Sequence, residues 1–274
     1  MNFRTRIAPT PSGFLHSGNI YSFQLTAQLA AETGAEILLR IDDLDAARKR
    51  PEYVANIFET LHTLGIRWQL GPQTPDDFEN NWSQHLRLPL YNETLHQLMQ
   101  QEGLVYACTC SRRELSGSNG TCNCKNNNLP FDTPDAAWRV AVKPGTVISF
   151  NDLQRGKVEI DLAETAGDFT VRRRDGIPAY QIASLADDMH FGITHIVRGE
   201  DLLPSTAAQL FLAEKLGFSS FLECRFLHHP LLSDTNGRKL SKSTGDGVPE
   251  ALNEAVIDVL RKQAKTLLRQ ITLQ

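Results

Sequence analysis

Three short stretches hold residue types that do chemistry at spacings where they can act together. The first, APTPSGFLHSGN, covers residues 8–19 and places His16 and Gly18 where an apolar, helix-like run begins. A helix N-terminus presents unpaired backbone N–H groups and the positive end of the dipole, so it receives anions. Gly18 lets a ligand approach the backbone, while His16 and Asn19 offer polar groups to a phosphate oxygen or a purine ring. A Gly/Pro turn with a surface histidine uses the same residues, and this stretch by itself leaves both readings open. The second, GRKLSKSTGD (residues 237–246), carries Lys239, Ser241 and Lys242 with no apolar periodicity. Such a loop can close over a polyphosphate and stabilise charge developing on it; a plain exposed basic loop is the alternative. The third is two C-x-C pairs with eleven residues between them: Cys108, Cys110, Cys122 and Cys124. Four thiolates at this spacing can wrap a tetrahedral Zn²⁺ in a structural site, against four reduced thiols in a polar loop.

The elements around these stretches read as α/β. RTRIA is a strand leading into the first loop, and a helix fits residues 18–33, with Ile20, Phe23, Ala27, Ala30 and Ala31 on one face and Gly34 as its stop. EILLRI reads as a buried strand. PEYVANIFETLHTLG reads as a helix opened by Pro51, with Val54, Ile57, Phe58, Leu61 and Leu64 in helical spacing. Strand–helix–strand–helix favours a parallel sheet with crossover helices. The texture changes near Tyr106. From there to about Val171 the chain has the cysteines, the polar run CNCKNNNLP and short β-like pieces, which reads as an insertion with a metal knuckle at its tip. The rhythm then returns with a helix (AYQIASLADDM), a strand (THIVRG) and a helix capped by Ser205 (STAAQLFLAEKLG). An amphipathic helix is expected after Gly247. The division expected is 1–105 and 171–224 for the two halves of the α/β domain, 106–170 for the insertion, and 225–274 for the basic loop and last helix.

The chain has 274 residues, 41% of them hydrophobic, enough for a substantial core. A net charge of −4 supplies no global field for nucleic acid, so RNA contact must come from local patches such as residues 172–174, 47–50 and 237–242. No apolar run is long enough to span a membrane, and the N-terminal residues lack a secretory stretch, so a cytoplasmic protein is expected. Five cysteines in such a chain argue against a disulfide framework.

Taken together, HSGN and KLSKS resemble the HIGH and KMSKS signatures of class I aminoacyl-tRNA synthetases, in the expected order. RIAPTPSGFLHSGN, RIDDLD, YQIASLADDMHFGITHIVRGEDLL and LHHPLL further resemble the glutamyl/glutaminyl branch, over a span from Arg6 to Ser243. Beyond it only residues 244–274 remain, room for one helix and not for an anticodon-binding domain. In this the chain resembles the branch's truncated paralogues, which activate L-glutamate with ATP and attach it to the queuosine base of tRNA(Asp).

The resemblance implies a Rossmann-like catalytic domain with an inserted acceptor-binding-type subdomain holding one structural zinc on the four cysteines. It implies ATP with Mg²⁺, L-glutamate and queuosine-bearing tRNA(Asp) as ligands, and a monomer. His16, Gly18 and Asn19 would hold the phosphate and adenosine end. Lys239, Ser241 and Lys242 would bind ATP, with His16 and Lys242 catalytic. Arg6 and Arg198 would clamp carboxylates over a floor made by Ala8 and Thr10, with Tyr180 on the substrate side. Asp42, where the family more often has Glu, would meet the substrate ammonium. Arg40, on the same strand face, reads as a structural ion-pair partner. His228 resembles a family position but also fits packing, and Asp187 with Asp188 reads as a helix-end cap with surface charge. Two rival readings stand beside it: a minimal synthetase charging a tRNA 3′ end, which shares every catalytic residue, and a non-catalytic paralogue that binds amino acid or RNA, against which His16, Gly18 and Lys242 count.

Overall fold

The structure is a computed structural model that describes residues 3–117, 122–232 and 254–272. Its first sheet pairs β1 (Arg4–Ile7) with β2 (Glu36–Leu39) in parallel, Arg6 opposite Leu38. Both faces of a parallel sheet are covered, so its strands read as continuous apolar runs. Ile7, Leu38 and Leu39 are accordingly buried. The crossover between them is the helix Ser17–Thr33, one residue longer at its start than expected. It buries Ile20, Phe23 and Ala30 but leaves Ala31 exposed, because the covered face turns toward Leu25 and Leu29 instead. Gly34 ends it in the left-handed region at φ 71°, where a side chain would be strained.

The segment expected as an insertion opens with β3 (Val105–Cys108), which forms an antiparallel sheet with β4 (Ala137–Val140) and β7 (Phe169–Arg172) in the order β3-β4-β7. The hairpin β5 (Val147–Asp152) and β6 (Gly156–Asp161) lies elsewhere. It joins β8 (His195–Gly199) and β9 (Arg225–His229) in a sheet ordered β6-β5-β9-β8. Residues 106–170 thus contribute strands to two sheets. β8 and β9 are parallel, with Arg198 opposite His228, and the helix Leu203–Leu216 connects them. That helix starts ahead of the expected Ser205, with a proline in its first turn and no side-chain cap, so Ser205 is not the cap. At the seam between the sheets Arg4 and Thr194 exchange hydrogen bonds, which sets β1 beside β8.

Two apolar clusters share these strands, Ile37, Leu39, Val197 and Leu227 belonging to one and Leu38, Ile196 and Phe226 to the other. One gathers β1, β2, the helix Ser17–Thr33 and the helix Pro51–Thr63. The helix Glu254–Thr272 closes it with Ile257, Leu260, Ala264 and Leu268, the periodic apolar face expected of the tail. The other gathers the helices Leu88–Met99, Tyr180–His190 and Leu203–Leu216 with much of the insertion. Among the described residues no helix is long and apolar enough to cross a membrane.

Candidate active site

A cavity of about 640 Å³ opens where β1, the start of the helix Ser17–Thr33 and the end of β8 converge. Arg6, Ala8, Thr10, His16, Gly18, Asn19, Tyr180 and Arg198 all line it, although they come from three separated parts of the chain. A cavity of about 580 Å³ along β5 is lined by none of them.

The loop between β1 and the first helix is held from both sides. Asp42 N–H donates to Pro9 O at 2.9 Å, and Leu15 N–H donates to Asn56 Oδ1 at 3.0 Å. His16 is the N-cap of the helix in extended geometry, and its Nδ1 accepts from Gly18 N–H at 3.1 Å. Asn19 Oδ1 accepts from His16 N–H at 3.1 Å, completing a reciprocal capping box. The Asn19 carbonyl therefore serves the helix rather than a ligand. With Nδ1 accepting, a neutral imidazole carries its proton on Nε2, where it is a donor. A Cβ on Gly18 would stand 2.9 Å from His16 Cε1, so the glycine is what lets the ring lie over the helix start.

The floor behind this loop is a buried lattice of charges. Asp188 Oδ1 takes Arg40 Nη1 at 2.6 Å and Arg6 Nε at 3.2 Å, while Arg198 Nη2 stands 3.8 Å from Asp188 Oδ2. Burial alone would push the Asp188 carboxyl up, but Arg6, Arg40 and Arg198 outweigh it and hold the group below the usual carboxylate range. Asp187 takes both arms of Arg87 at 2.7 and 3.0 Å, with the Tyr91 hydroxyl at 2.9 Å and Gln84 Nε2 at 3.0 Å. Both aspartates are buried, which corrects their reading as a helix cap and surface charge. They face inward because each meets fixed cations, without which a buried carboxylate is strongly disfavoured.

Arg40 is the structural ion-pair partner expected. Asp42 sits on it at 2.7 and 3.2 Å and is absent from the cavity lining. Burial depresses the Arg40 guanidinium, yet Asp42, Asp188 and Asp187 together raise it above its ordinary value. Arg198 differs from its neighbours. Its side chain is 2% exposed, Nη1 donates to Thr206 Oγ1 at 3.0 Å, and Nε and Nη2 have no hydrogen-bond partner. A buried fork with two undirected donors is the arrangement a carboxylate satisfies. Lys239, Ser241 and Lys242 lie outside the described residues.

The family model for class I tRNA synthetases (E and Q), catalytic domain, matches residues 2–250. The chain belongs to that family. It is 40% identical over 257 residues to the glutamyl-Q tRNA(Asp) synthetase of Pseudomonas fluorescens, covering 92% of this chain and 82% of that one. Among solved structures it resembles a glutamate tRNA ligase of Elizabethkingia meningosepticum in complex with its amino acid (TM-score 0.72, 25% identity, 85% of this chain and 50% of that one). It also resembles the glutamate-tRNA synthetase of Elizabethkingia anophelis, with TM-score 0.75 and 28% identity over 90% of this chain and 54% of that one. The chain thus spans about half the length of these two solved synthetases.

This class I synthetase catalytic domain gathers its four paired cysteines in the insertion. Their Sγ atoms all lie within 4.8 Å of one another, with Cys108 and Cys122 at 3.7 Å and Cys110 and Cys124 at 3.5 Å. A tetrahedral Zn²⁺ at about 2.3 Å from each sulfur sets the sulfurs roughly 3.8 Å apart, whereas a disulfide needs about 2.05 Å. The cluster therefore fits a cation and not a pair of bridges. Burial pushes the Cys110 thiol up to about 11, whereas at Cys124 hydrogen bonds from the Thr109 backbone and the neighbouring thiols outweigh burial and hold the thiol below its usual range.

The sequence reading missed Thr206, Asp152, Arg87 and Tyr91, and left His228 undecided. All are buried or half-buried polar groups joined to the arginines and aspartates of the floor. The one signal for them was a polar residue inside an apolar strand or helix, as at His228 in RFLHH.

Proposed function

We propose that this chain activates L-glutamate with ATP and transfers the glutamyl group to the queuosine base of tRNA(Asp). The observation that carries the reading is the Arg198 guanidinium, buried with two open donors on the same cavity as the His16 helix start. One end of that cavity suits a carboxylate and the other suits a phosphate. An oxygen of the glutamate α-carboxylate attacks the α-phosphorus of ATP. The bond from that phosphorus to the bridging oxygen breaks, and pyrophosphate leaves. Such chemistry rests on alignment and charge stabilisation, with no covalent enzyme intermediate.

In this reading Arg6 and Arg198 hold the carboxylates, and Ala8, Thr10 and Tyr180 shape the floor. The Nε2–H of His16 and the backbone at Gly18 meet the nucleotide. Lys239, Ser241 and Lys242 bind the leaving phosphates. Mg²⁺ bound with ATP supplies further charge neutralisation. Asp42, engaged by Arg40, meets the substrate ammonium through water or after a change of partner. The four cysteines hold one structural Zn²⁺ that braces the insertion against tRNA, away from the chemistry. We take the working unit as a monomer. Reduced thiols and a tRNA substrate fit a cytoplasmic setting.

Glutamate-dependent exchange of pyrophosphate into ATP tests the activation step, and its absence supports a non-catalytic binding protein. Labelled glutamate is then offered with tRNA(Asp) carrying or lacking queuosine, and with tRNA(Glu). Transfer only to the queuosine-bearing tRNA supports the proposal. Charging of a tRNA 3′ end instead supports a minimal synthetase.

A further inference from the structure

Arg198 owes its orientation to a line of buried polar groups behind it. Its Nη1–H donates to Thr206 Oγ1 at 3.0 Å; Thr206 Oγ1 stands 2.8 Å from His228 Nε2; and His228 Nδ1 stands 2.7 Å from Asp152 Oδ2. The same Asp152 oxygen accepts from His228 N–H at 2.9 Å. Arg198, Thr206, His228 and Asp152 are between 0% and 3% exposed, so water does not share these bonds.

Donor and acceptor roles along the line are forced. Asp152 accepts, so His228 Nδ1 carries the proton and Nε2 is a bare acceptor. The Thr206 hydroxyl must then give its proton to Nε2, which leaves its oxygen lone pairs to Arg198. The opposite tautomer would set two lone pairs against each other at the Asp152 contact. Burial pushes His228 down against the upward pull of Asp152, which keeps the ring neutral. Phe226 and Phe150 flank the ring, their centres 6.1 and 5.9 Å from its own, and the contacts at both ring nitrogens set its orientation. With Nη1 occupied, the guanidinium edge without a hydrogen bond is Nε with Nη2, whose nearest carboxylate oxygen, Asp188 Oδ2, stands off at 3.8 Å; it is the side that makes two parallel hydrogen bonds to one carboxylate.

We propose that Asp152, His228 and Thr206 are positioning residues that set the Arg198 guanidinium with its Nε–Nη2 edge toward the substrate carboxylate. The inference rests on the functional reading above, in which Arg198 is a carboxylate clamp. It also gives His228 a role beyond packing. The carboxylate at the far end belongs to the β5–β6 hairpin, where Asp152 Oδ1 accepts from Gln154 N–H and Arg155 N–H at 2.9 and 3.0 Å. One aspartate therefore shapes a turn of the insertion and anchors the line to Arg198.

The test is T206V beside T206S in pyrophosphate exchange, with KM for glutamate and for ATP measured separately. Val keeps the shape and removes the oxygen. T206V should raise KM for glutamate roughly tenfold or more, the scale of one lost hydrogen bond to a charged group. Its KM for ATP should stay within about twofold, since nothing at the nucleotide end of the cavity has changed, and T206S should restore the wild-type value. An unchanged glutamate KM in T206V overturns the inference, as does an equal rise in both KM values, the mark of general damage. Should T206V not fold, T206C carries the same comparison, because a thiol fills the space but accepts weakly. Wild-type protein that neither exchanges nor binds glutamate overturns the functional reading and this inference with it. Normal wild-type exchange beside an indifferent T206V overturns the inference alone.

Discussion

Replacing Asp188 with Asn removes one charge from the centre of three guanidinium groups while keeping the shape of the side chain. Arg40 at 2.6 Å, Arg6 at 3.2 Å and Arg198 at 3.8 Å then face a neutral amide, whose NH₂ group points donors at donors. All four residues are at most 4% exposed, so solvent cannot take over. Breaking a buried ion pair from one side typically costs about 3–5 kcal/mol. Against a total stability of about 5–15 kcal/mol, that is a large fraction. At roughly 2–4 °C per kcal/mol for a chain of this order of size, the melting temperature should fall by roughly 10 °C. The pH dependence should change as well. The folded Asp188 carboxyl titrates below its unfolded value, so it adds stability above the unfolded value that is lost as pH falls through the folded one. Urea midpoints measured between about pH 3 and 6 should therefore fall less steeply for D188N than for the wild type. A destabilisation below about 1 kcal/mol, or a parallel acid limb in both proteins, would refute the view that these charges are mutually dependent.

Three further outcomes are expected. K242A should lower the rate of pyrophosphate exchange by about 10²–10³ while glutamate binding, followed by calorimetry, stays nearly intact; a normal rate removes Lys242 from the chemistry. H16A should lose both the helix cap, about 0.5–2 kcal/mol in a denaturant titration, and the exchange rate, whereas H16N should keep the cap and lose only the rate. Equal stability loss in both variants would show that the imidazole is needed for the cap itself. Changing Cys122 and Cys124 together to Ser should abolish binding of one zinc per chain, read by metal analysis, and make the insertion more susceptible to protease, while exchange without tRNA persists. Loss of exchange in that variant would mean that the insertion supports the pocket directly.

The cavity was largely legible in the sequence because its residues sit in punctuated stretches. Proline, glycine and histidine in APTPSGFLHSGN announce a bent loop before a helix, whereas Arg6, Ala8 and Thr10 were implied by the resemblance to the glutamyl/glutaminyl synthetases. Burial of charge was not legible. Asp187 and Asp188 lie at the end of an amphipathic-looking helix, and only the arrival of Arg87 from another helix and of Arg6, Arg40 and Arg198 from three strand ends makes an inward aspartate tolerable. The same holds for Asp42, whose partner two residues away competes with any substrate for its oxygens. The start of the helix at Leu203 was misplaced because Ser205 is a strong cap type by composition, while Pro204 sets the first turn by its fixed φ. Long-range partners decide all of these, and a single sequence does not display them.

The helix that carries His16 is covered by residues more than two hundred positions later, through Ile257, Leu260, Ala264 and Leu268. Its strand β1 pairs with the nearby β2 on one edge but finds its partner on the other edge only at Thr194. A ribosome makes the His16 loop and its helix more than two hundred residues before the helix Glu254–Thr272 that packs on them. Contacts so distant in sequence close slowly. During synthesis the apolar face of the helix Ser17–Thr33 therefore stays uncovered until residues 257–268 have been made, and this is the interval in which a chaperone would find it.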